Sequence, residues 1–196
     1  MAVVTRTVHP IEAESYRILR READTAALPP YSRDVVERII HTTADPDWLG
    51  DLVVDEKALA AGAAALAGGA ALVTDVTMVA AGITRYPATC RMPAEAAGLT
   101  RSAAGVRLAA ADHPDGAVWV VGNAPTALTE LLRLAAAGEV RPALVIGLPV
   151  GYVGAAESKA TLRETALPQL SNRSARGGAA VAAAAVNALL YGDPLA

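Results

Sequence analysis

Three short runs of apolar residues constrain the fold of this chain more than any other feature. Residues 70–74 (AALVT), 117–121 (AVWVV) and 143–146 (ALVI) are continuous, without the alternation of polar and apolar residues that marks a half-exposed strand. Such runs are typical of strands that are covered on both faces, as in parallel sheets. They therefore predict the central strands of a sheet with a layer on each side.

Helical patterns separate these strands. Apolar residues recur at helical spacing in five segments, residues 76–81, 101–111, 126–137, 155–164 and 179–190. Strands that alternate with helices usually build a parallel sheet. The sequence thus predicts an α/β fold, a three-layer sandwich in which helices flank a mostly parallel central sheet. Because no linker or break in composition divides the chain, residues 1–196 are predicted to form a single domain.

Start signals predict three further helices in the first third of the chain. Pro10 opens the first, Ser32 is predicted to cap the second, and Asp55 is predicted to cap an alanine-rich third helix that stops at Gly68. The second helix has an apolar face at helical spacing, and His41 lies on the edge of that face. This position places one imidazole at the end of the helix, beside its apolar face.

Charge and cysteine content exclude several classes of protein. The net charge is −3 and charges of both signs are interspersed, so no basic surface for nucleic acid or an anionic membrane is predicted. The single cysteine, Cys90, cannot form an intramolecular disulfide, and no cysteine–histidine cluster has metal-ligand spacing. Glycines interrupt the longest apolar tract, residues 58–73, and residues 1–9 lack the apolar core of a signal peptide. We therefore expect a cytoplasmic protein that neither spans a membrane nor holds a metal.

Residues just beyond the predicted strands are the places to look for a site, because ligands of parallel α/β sheets bind outside the carboxyl ends of the strands. Asp75 follows the first strand and is predicted to cap the next helix rather than to catalyse. Asn123 and Pro125 follow the second strand, where they are predicted to cap and open a helix. Arg101 opens another helix, where a cation is electrostatically disfavoured, and this indicates an anionic partner.

A glycine-rich loop, residues 147–154, follows the third strand. Its glycines resemble a dinucleotide-binding loop, but their spacing is not G-x-G-x-x-G and Pro149 interrupts them. A turn whose backbone N–H groups lie at a helix start is the favoured explanation of the glycines taken alone, and such groups can hold an anion. A Rossmann-like nucleotide enzyme would also need an acidic residue at the end of the next strand, which the sequence does not show.

His41 has two readings. A lone histidine beside an apolar face is more often a hydrogen-bonded core residue than a catalyst. Imidazole also titrates near neutrality, so it can serve as a general acid if a substrate is in reach. The chain has neither the G-x-S-x-G motif of a hydrolase nor a pair of carboxylates of the glycosidase kind.

Taken together, several segments resemble the precorrin-8X methylmutases, the precorrin isomerases of cobalamin biosynthesis. The order and spacing of the segments carry the resemblance, which extends from Ser15 nearly to the C-terminus. They are residues 15–20 (SYRILR), 40–43 (IHTT), 74–79 (TDVTMV), 82–85 (GITR), 100–103 (TRSA), 121–128 (VGNAPTAL), 147–159 (GLPVGYVGAAESK), 177–178 (GG) and 186–189 (VNAL). One position departs from the pattern, since Ala179 follows the two glycines where the family resemblance implies a serine.

The resemblance implies an isomerase that moves a methyl group from C-11 to C-12 of precorrin-8X or its cobalt form, giving hydrogenobyrinate or cobyrinate. It implies a tetrapyrrole substrate and product, no cofactor, and a homodimer with the site near the subunit interface. His41 matches the family's catalytic acid. The residues expected to surround the substrate are Ser15, Arg20, Thr84, Arg85, Arg101, Ser102, Glu157, Ser158 and Lys159. The alternative is a corrinoid-binding or carrier protein without activity.

Overall fold

A six-stranded sheet forms the centre of the molecule, whose computed structural model describes residues 8–195. The strand order is β1-β6-β5-β4-β2-β3, and every neighbouring pair is parallel except β1 and β6. The strands are β1 (Leu52–Val53), β2 (Leu72–Thr74), β3 (Ala88–Cys90), β4 (Val118–Val121), β5 (Leu144–Gly147) and β6 (Gln169–Asn172). Residues 1–7, most of the segment inspected for a signal peptide, lie outside the described residues, as does residue 196.

Helices cover both faces of the sheet. In β4, Val118 and Val120 contribute to one apolar cluster and Trp119 and Val121 to the other, because successive side chains of a strand point to opposite faces. The helices are α1 (Pro10–Glu22), α2 (Pro30–Thr43), α3 (Trp48–Asp51), α4 (Glu56–Ala67), α5 (Thr77–Gly82), α6 (Arg101–Asp112), α7 (Pro125–Ala136), α8 (Ala155–Arg163) and α9 (Ala179–Tyr191). The predicted three-layer α/β arrangement is confirmed.

The two helical layers differ in membership. The first contains α1, α2, α4 and α9; α9 packs along α2 and carries small side chains such as Ala182 and Ala185, both fully buried. The second contains α6, α7 and α8, packed around Trp119 and Leu131. None of the helices in residues 8–195 is both long and apolar enough to cross a membrane.

The apolar runs and helical patterns of the sequence correspond to observed elements. The three runs are β2, β4 and β5, and the five helical segments are α5 to α9 within one or two residues. The sequence did not predict α3, β3 or β6. The reason is clearest in β6, where the polar residues Ser171 and Asn172 are fully buried and no apolar pattern marks the strand.

Three predicted helix caps, Ser32, Asp75 and Asn123, are wrong, and the side chains of Ser32 and Asp75 bond to other segments instead. The second helix begins at Pro30, and the N–H and hydroxyl of Ser32 both donate to Glu56 at 2.8 Å. No side-chain hydrogen bond caps α5 or α7, so neither Asp75 nor Asn123 acts as predicted. The carboxylate of Asp75 instead accepts three backbone N–H bonds of 2.7 to 3.0 Å from residues 122–124, which joins the end of β2 to the start of α7.

Candidate active site

His41 lies in the last turn of α2, where α1 passes beside it. Its Nδ1 and the hydroxyl oxygen of Ser15 share a hydrogen bond of 2.9 Å. The imidazole also stacks on Tyr16, with 4.8 Å between ring centroids and 24° between ring planes. Because Tyr16 is fully buried, the ring of His41 is fixed in orientation by a hydroxyl at its edge and a rigid ring against its face.

A cavity of about 120 Å³ opens beside His41. It lies between α1 and the end of α2, where Ala44 takes a left-handed conformation (φ 51°) and turns the chain away. The residues that line it are Ser15, Ile18, Leu19, Glu22, Ile40, His41, Ala44 and Pro46. Pockets for drug-sized ligands usually measure ~300–1,000 Å³, so this cavity fits one edge of a large ligand.

Arg38 is a buried cation one turn before His41 on the same helix, with only 9% of its surface exposed. Its guanidinium lies 5.7 Å from the ring centroid of Tyr16 and 5.9 Å from that of Tyr191, and its Nη1 is 3.5 Å from Glu12. Cation–π attraction to Arg38 therefore connects Tyr16, on which His41 stacks, to Tyr191 at the end of α9. Sequence reasoning missed Arg38, Tyr16 and Tyr191.

Thr84 and Arg85 lie on the other side of Tyr191. The hydroxyl groups of Thr84 and Tyr191 share a hydrogen bond, and the guanidinium of Arg85 lies 5.3 Å from the Tyr191 ring centroid. The backbone N–H of Thr84 also donates to Asn187 at 3.4 Å. The structure thus brings these two predicted site residues into one contact network with His41, through Tyr191, Arg38 and Tyr16.

Arg20 is held by carboxylates of its own chain. Its Nε and Nη2 donate to both carboxylate oxygens of Glu37 at 2.8 to 3.1 Å, and Nη2 also reaches Asp193 at 2.9 Å. The hydrogen bond to Glu37 raises the pKa of Arg20, outweighing the opposing effect of burial. These bonds already compensate the charge of Arg20. Its contact with a substrate stays a prediction.

The remaining predicted residues lie on α6 and α8, in the second helical layer. Arg101 is exposed at the start of α6 and donates to the carbonyl of Pro93 at 3.2 Å, while Ser102 is buried. On α8, Glu157 is exposed and the hydroxyl of Ser158 donates to Ala155 at 3.2 Å. Their place around a substrate stays a prediction.

Lys159, also on α8, is fully buried and donates three hydrogen bonds to oxygens of its own chain. Burial lowers the pKa of its ammonium to about 8. Elsewhere in residues 8–195, no group of three histidine, cysteine or carboxylate side chains is placed to hold a metal ion.

Comparison with known proteins gives one consistent result. Residues 10–192 match the family model for precorrin-8X methylmutase. The precorrin-8X methylmutase of Pseudomonas aeruginosa is 43% identical, over 91% of this chain and 93% of that protein. The cobalt-precorrin-8 methylmutase of Methanothermobacter thermautotrophicus is 38% identical over 97% and 96%. A crystal structure of precorrin-8x methyl mutase from Thermus thermophilus superposes with a TM-score of 0.85 and 34% identity, covering 93% of this chain and 96% of that one.

Proposed function

The chain belongs to the precorrin-8X methylmutase family, and from this premise we propose that it moves a methyl group from C-11 to C-12 of precorrin-8X or of its cobalt form. The family makes it an isomerase of cobalamin biosynthesis. In the proposed reaction the methyl bond to C-11 breaks as the bond to C-12 forms, and the ring double bonds shift. Nothing is oxidised or reduced, and the product is hydrogenobyrinate or cobyrinate.

The observation that carries the proposal is the fixed imidazole of His41 beside the cavity. An intramolecular 1,5-sigmatropic shift needs no nucleophile and no hydride carrier. A hydrogen bond or proton given to a macrocycle nitrogen would draw electron density from the ring and favour migration. Ser15 and Tyr16 hold the imidazole in one orientation, so the donor would not have to be ordered when the substrate binds.

Exposed arginines suit the carboxylate side chains of such a substrate. Arg85 and Arg101 are both exposed, and guanidinium groups bind carboxylates through paired hydrogen bonds. Thr84 and Ser102 stand next to them in the chain and offer hydroxyl groups. We propose that these four residues, with Ser15, contact the substrate.

We further propose that the active form is a homodimer whose sites lie near the subunit interface. A cavity of about 120 Å³ is too small for a tetrapyrrole, and Arg101 lies on the opposite helical layer from His41. A second copy that supplies Arg101 would complete a site of the required size. Mixing a His41→Ala chain with an Arg101→Ala chain tests this, because restored turnover needs one intact site formed across two subunits.

The reaction itself is tested by adding the protein to precorrin-8X carrying ¹³C in the migrating methyl group. The proposed function predicts a change in the absorption spectrum, together with movement of the label from C-11 to C-12 in the ¹³C NMR spectrum. A corrinoid-binding or carrier protein would bind the product but leave the label at C-11. Unchanged label with tight product binding would therefore establish the carrier and overturn the proposal.

A further inference from the structure

Lysine is rare in this chain, and one of its two lysines is fully buried. Of the 17 lysine and arginine residues, only Lys57 and Lys159 are lysines. Lys57 is exposed in the first turn of α4, whereas Lys159 on α8 has none of its surface exposed. Lysine is almost never fully buried unless it is paired, so the surroundings of Lys159 must compensate its charge.

Three oxygens surround the ammonium of Lys159. Its Nζ donates to the carbonyl of Pro149 at 3.1 Å, to the side-chain oxygen of Asn172 at 2.8 Å and to the carbonyl of Arg176 at 2.7 Å. An ammonium has three N–H donors, so all of them are used within the chain. The planar guanidinium of arginine could not point donors at three oxygens grouped around one atom.

The bonded oxygens belong to two loops that run side by side. Pro149 lies after β5 and Arg176 after β6, and the N–H of Gly178 donates to the carbonyl of Leu148 at 3.0 Å. At Gly177 (φ 158°), a Cβ atom would lie 2.3 Å from the carbonyl oxygen of Leu148, which only glycine avoids. The two loops therefore touch backbone to backbone. Lys159 also joins them, because its ammonium donates to a carbonyl of each loop.

We propose that Lys159 is a positioning residue, whose ammonium holds these two loops together and thereby sets Arg176 beside the His41 cavity. The guanidinium of Arg176 pairs with Asp45 and lies 4.4 Å from the ring centroid of Trp48. Asp45 stands between Ala44 and Pro46, which both line the cavity. Lys159 thus acts through Arg176 rather than by touching the substrate, and the inference rests on the proposed function only where turnover is measured.

Charged groups around Lys159 are themselves bonded. Asp51 accepts from Asn172 at 2.8 Å and from the hydroxyl of Ser174 at 2.6 Å, and Arg163 donates to the carbonyl of Asn172 at 2.7 Å. Burial is the main reason that the pKa of Lys159 falls to about 8, with Asp51 raising it and Arg163 lowering it. The charged groups that face the junction from the surrounding elements are Asp51, Arg163, Arg173, Arg176 and Asp45.

Loss of the proton leaves two N–H donors for three oxygens, so one of the bonds by which Lys159 joins the two loops is lost. Turnover is therefore expected to fall as pH rises through about 8. The stability contribution has the opposite sign: a lysine with a lowered pKa loses its proton more readily in the folded state, so its contribution to the free energy of unfolding increases over the same range. Unfolding driven by Lys159 therefore cannot account for a loss of activity there.

The first experiment uses the wild-type protein with ¹³C,¹⁵N-labelled lysine, which gives two side-chain NMR signals. The signal of Lys159, identified by its absence from Lys159→Met and its presence in Lys57→Met, should titrate near pH 8. The kcat for precorrin-8X should fall with the midpoint of that signal. A kcat that stays constant through that titration would overturn the proposal, as would a Lys159 signal that does not change between pH 7 and 9.

The second experiment compares Lys159→Met with Lys57→Met, each lacking one ammonium. In Lys159→Met, amide exchange in residues 148–151 and 173–178, measured without substrate, should be about tenfold faster. Its kcat should be about tenfold lower and independent of pH between 7 and 9, with little change in product Kd. Lys57→Met should match the wild type. Unchanged exchange together with a weaker product Kd would instead make Lys159 a substrate ligand.

The lysine titration and the amide exchange separate this inference from the proposed function, which the methyl label tests. If the wild type leaves the methyl label at C-11, the proposed function fails, whereas the lysine titration and the amide exchange still test Lys159. If Lys159→Met does not fold, the titration and pH profile of the wild type decide alone.

Discussion

Two positions one turn apart on α2 use their polar side chains in opposite ways. In the middle of the helix, Glu37 is 1% exposed and accepts hydrogen bonds from Arg20 and from the hydroxyl of Thr25 at 2.6 Å. In the last turn, His41 is only partly buried and contacts a hydroxyl and a ring face beside a cavity. The first position is a closed set of compensated charges, and the second is an oriented group next to a cavity.

The difference shows how one helix can be both a rigid support and a source of chemistry. A buried carboxylate such as Glu37 is tolerated only when paired, so its partners fix α1 and the segment after α9 against α2. The contacts of His41 with Ser15 and Tyr16 fix the direction of its ring. Substitutions at the two positions should therefore have separate effects, on turnover at His41 and on stability at Glu37.

The largest effect is expected from removing the imidazole. His41→Ala should lower kcat about 10²- to 10⁴-fold, because the proton or hydrogen-bond donor is lost. The free energy of unfolding should change by less than about 1 kcal/mol, since the side chain is partly exposed. Initial rates with precorrin-8X and urea unfolding measure the two quantities. His113→Ala, which alters the histidine that follows α6, is the matched control. Full activity in His41→Ala would refute the assignment.

Breaking the ion pair of Glu37 should reverse this pattern. Glu37→Gln leaves the guanidinium of Arg20 only partly compensated and should lower the free energy of unfolding by about 3 kcal/mol. Glu14→Gln removes an exposed pair with Arg17 and should cost at most about 0.5 kcal/mol. Urea unfolding of both variants measures the contrast. Equal losses in the two variants would show that burial does not distinguish these ion pairs.

Ser15 extends the comparison, because its hydroxyl shares a hydrogen bond with the ring of His41. Ser15→Ala should lower kcat about tenfold through loss of the 2.9 Å hydrogen bond. Ser15→Thr keeps the hydroxyl and should retain most of the activity. Stopped-flow rates at saturating substrate measure this effect. A Ser15→Ala enzyme that turns over like the wild type would mean that the Tyr16 stack alone fixes the ring.

The smallest effect is expected at Asp34, whose pKa is raised to about 6 by burial and by the nearby charge of Asp193. A carboxylic acid with a raised pKa favours the folded state at low pH, and that contribution is lost as pH rises through about 6. Asp34→Asn should therefore gain stability relative to wild type between about pH 4 and 6, reaching on the order of 1 kcal/mol at pH 7. Urea unfolding across this range measures the gain, and the exposed Asp47→Asn should show no such trend.

Local sequence rules predicted those parts of the fold that depend on apolar pattern. Strands β2, β4 and β5 are apolar on both faces, so their sequence marks them. Strand β6 was missed because Asn172 is buried by partners distant in the sequence, Asp51 and Lys159. Ser32 and Asp75 are the residue types expected at caps, but Ser32 donates to Glu56 and Asp75 accepts from the N–H groups of residues 122–124.

The site was predicted only in part for a similar reason. The edge position of His41 came from helical spacing, whereas its pairing with Ser15 joins residues 26 positions apart, which spacing cannot reveal. The sequence could have indicated Arg38 as a site residue, because a cation on the buried side of α2, one turn before His41, needs groups that compensate its charge. Its partners Tyr16 and Tyr191 come from opposite ends of the chain, and only the folded structure shows them.

The two edges of the sheet bear on how the protein behaves when concentrated. At one edge β1 contributes two residues, and at the other β3 contributes three, with Pro87 directly before it and Pro93 shortly after it. Two short edge strands, one of them flanked by prolines, give little template for the strand-to-strand addition that starts fibrous aggregation. Copies of the chain are therefore expected to meet through helices or loops rather than through the edges of the sheet.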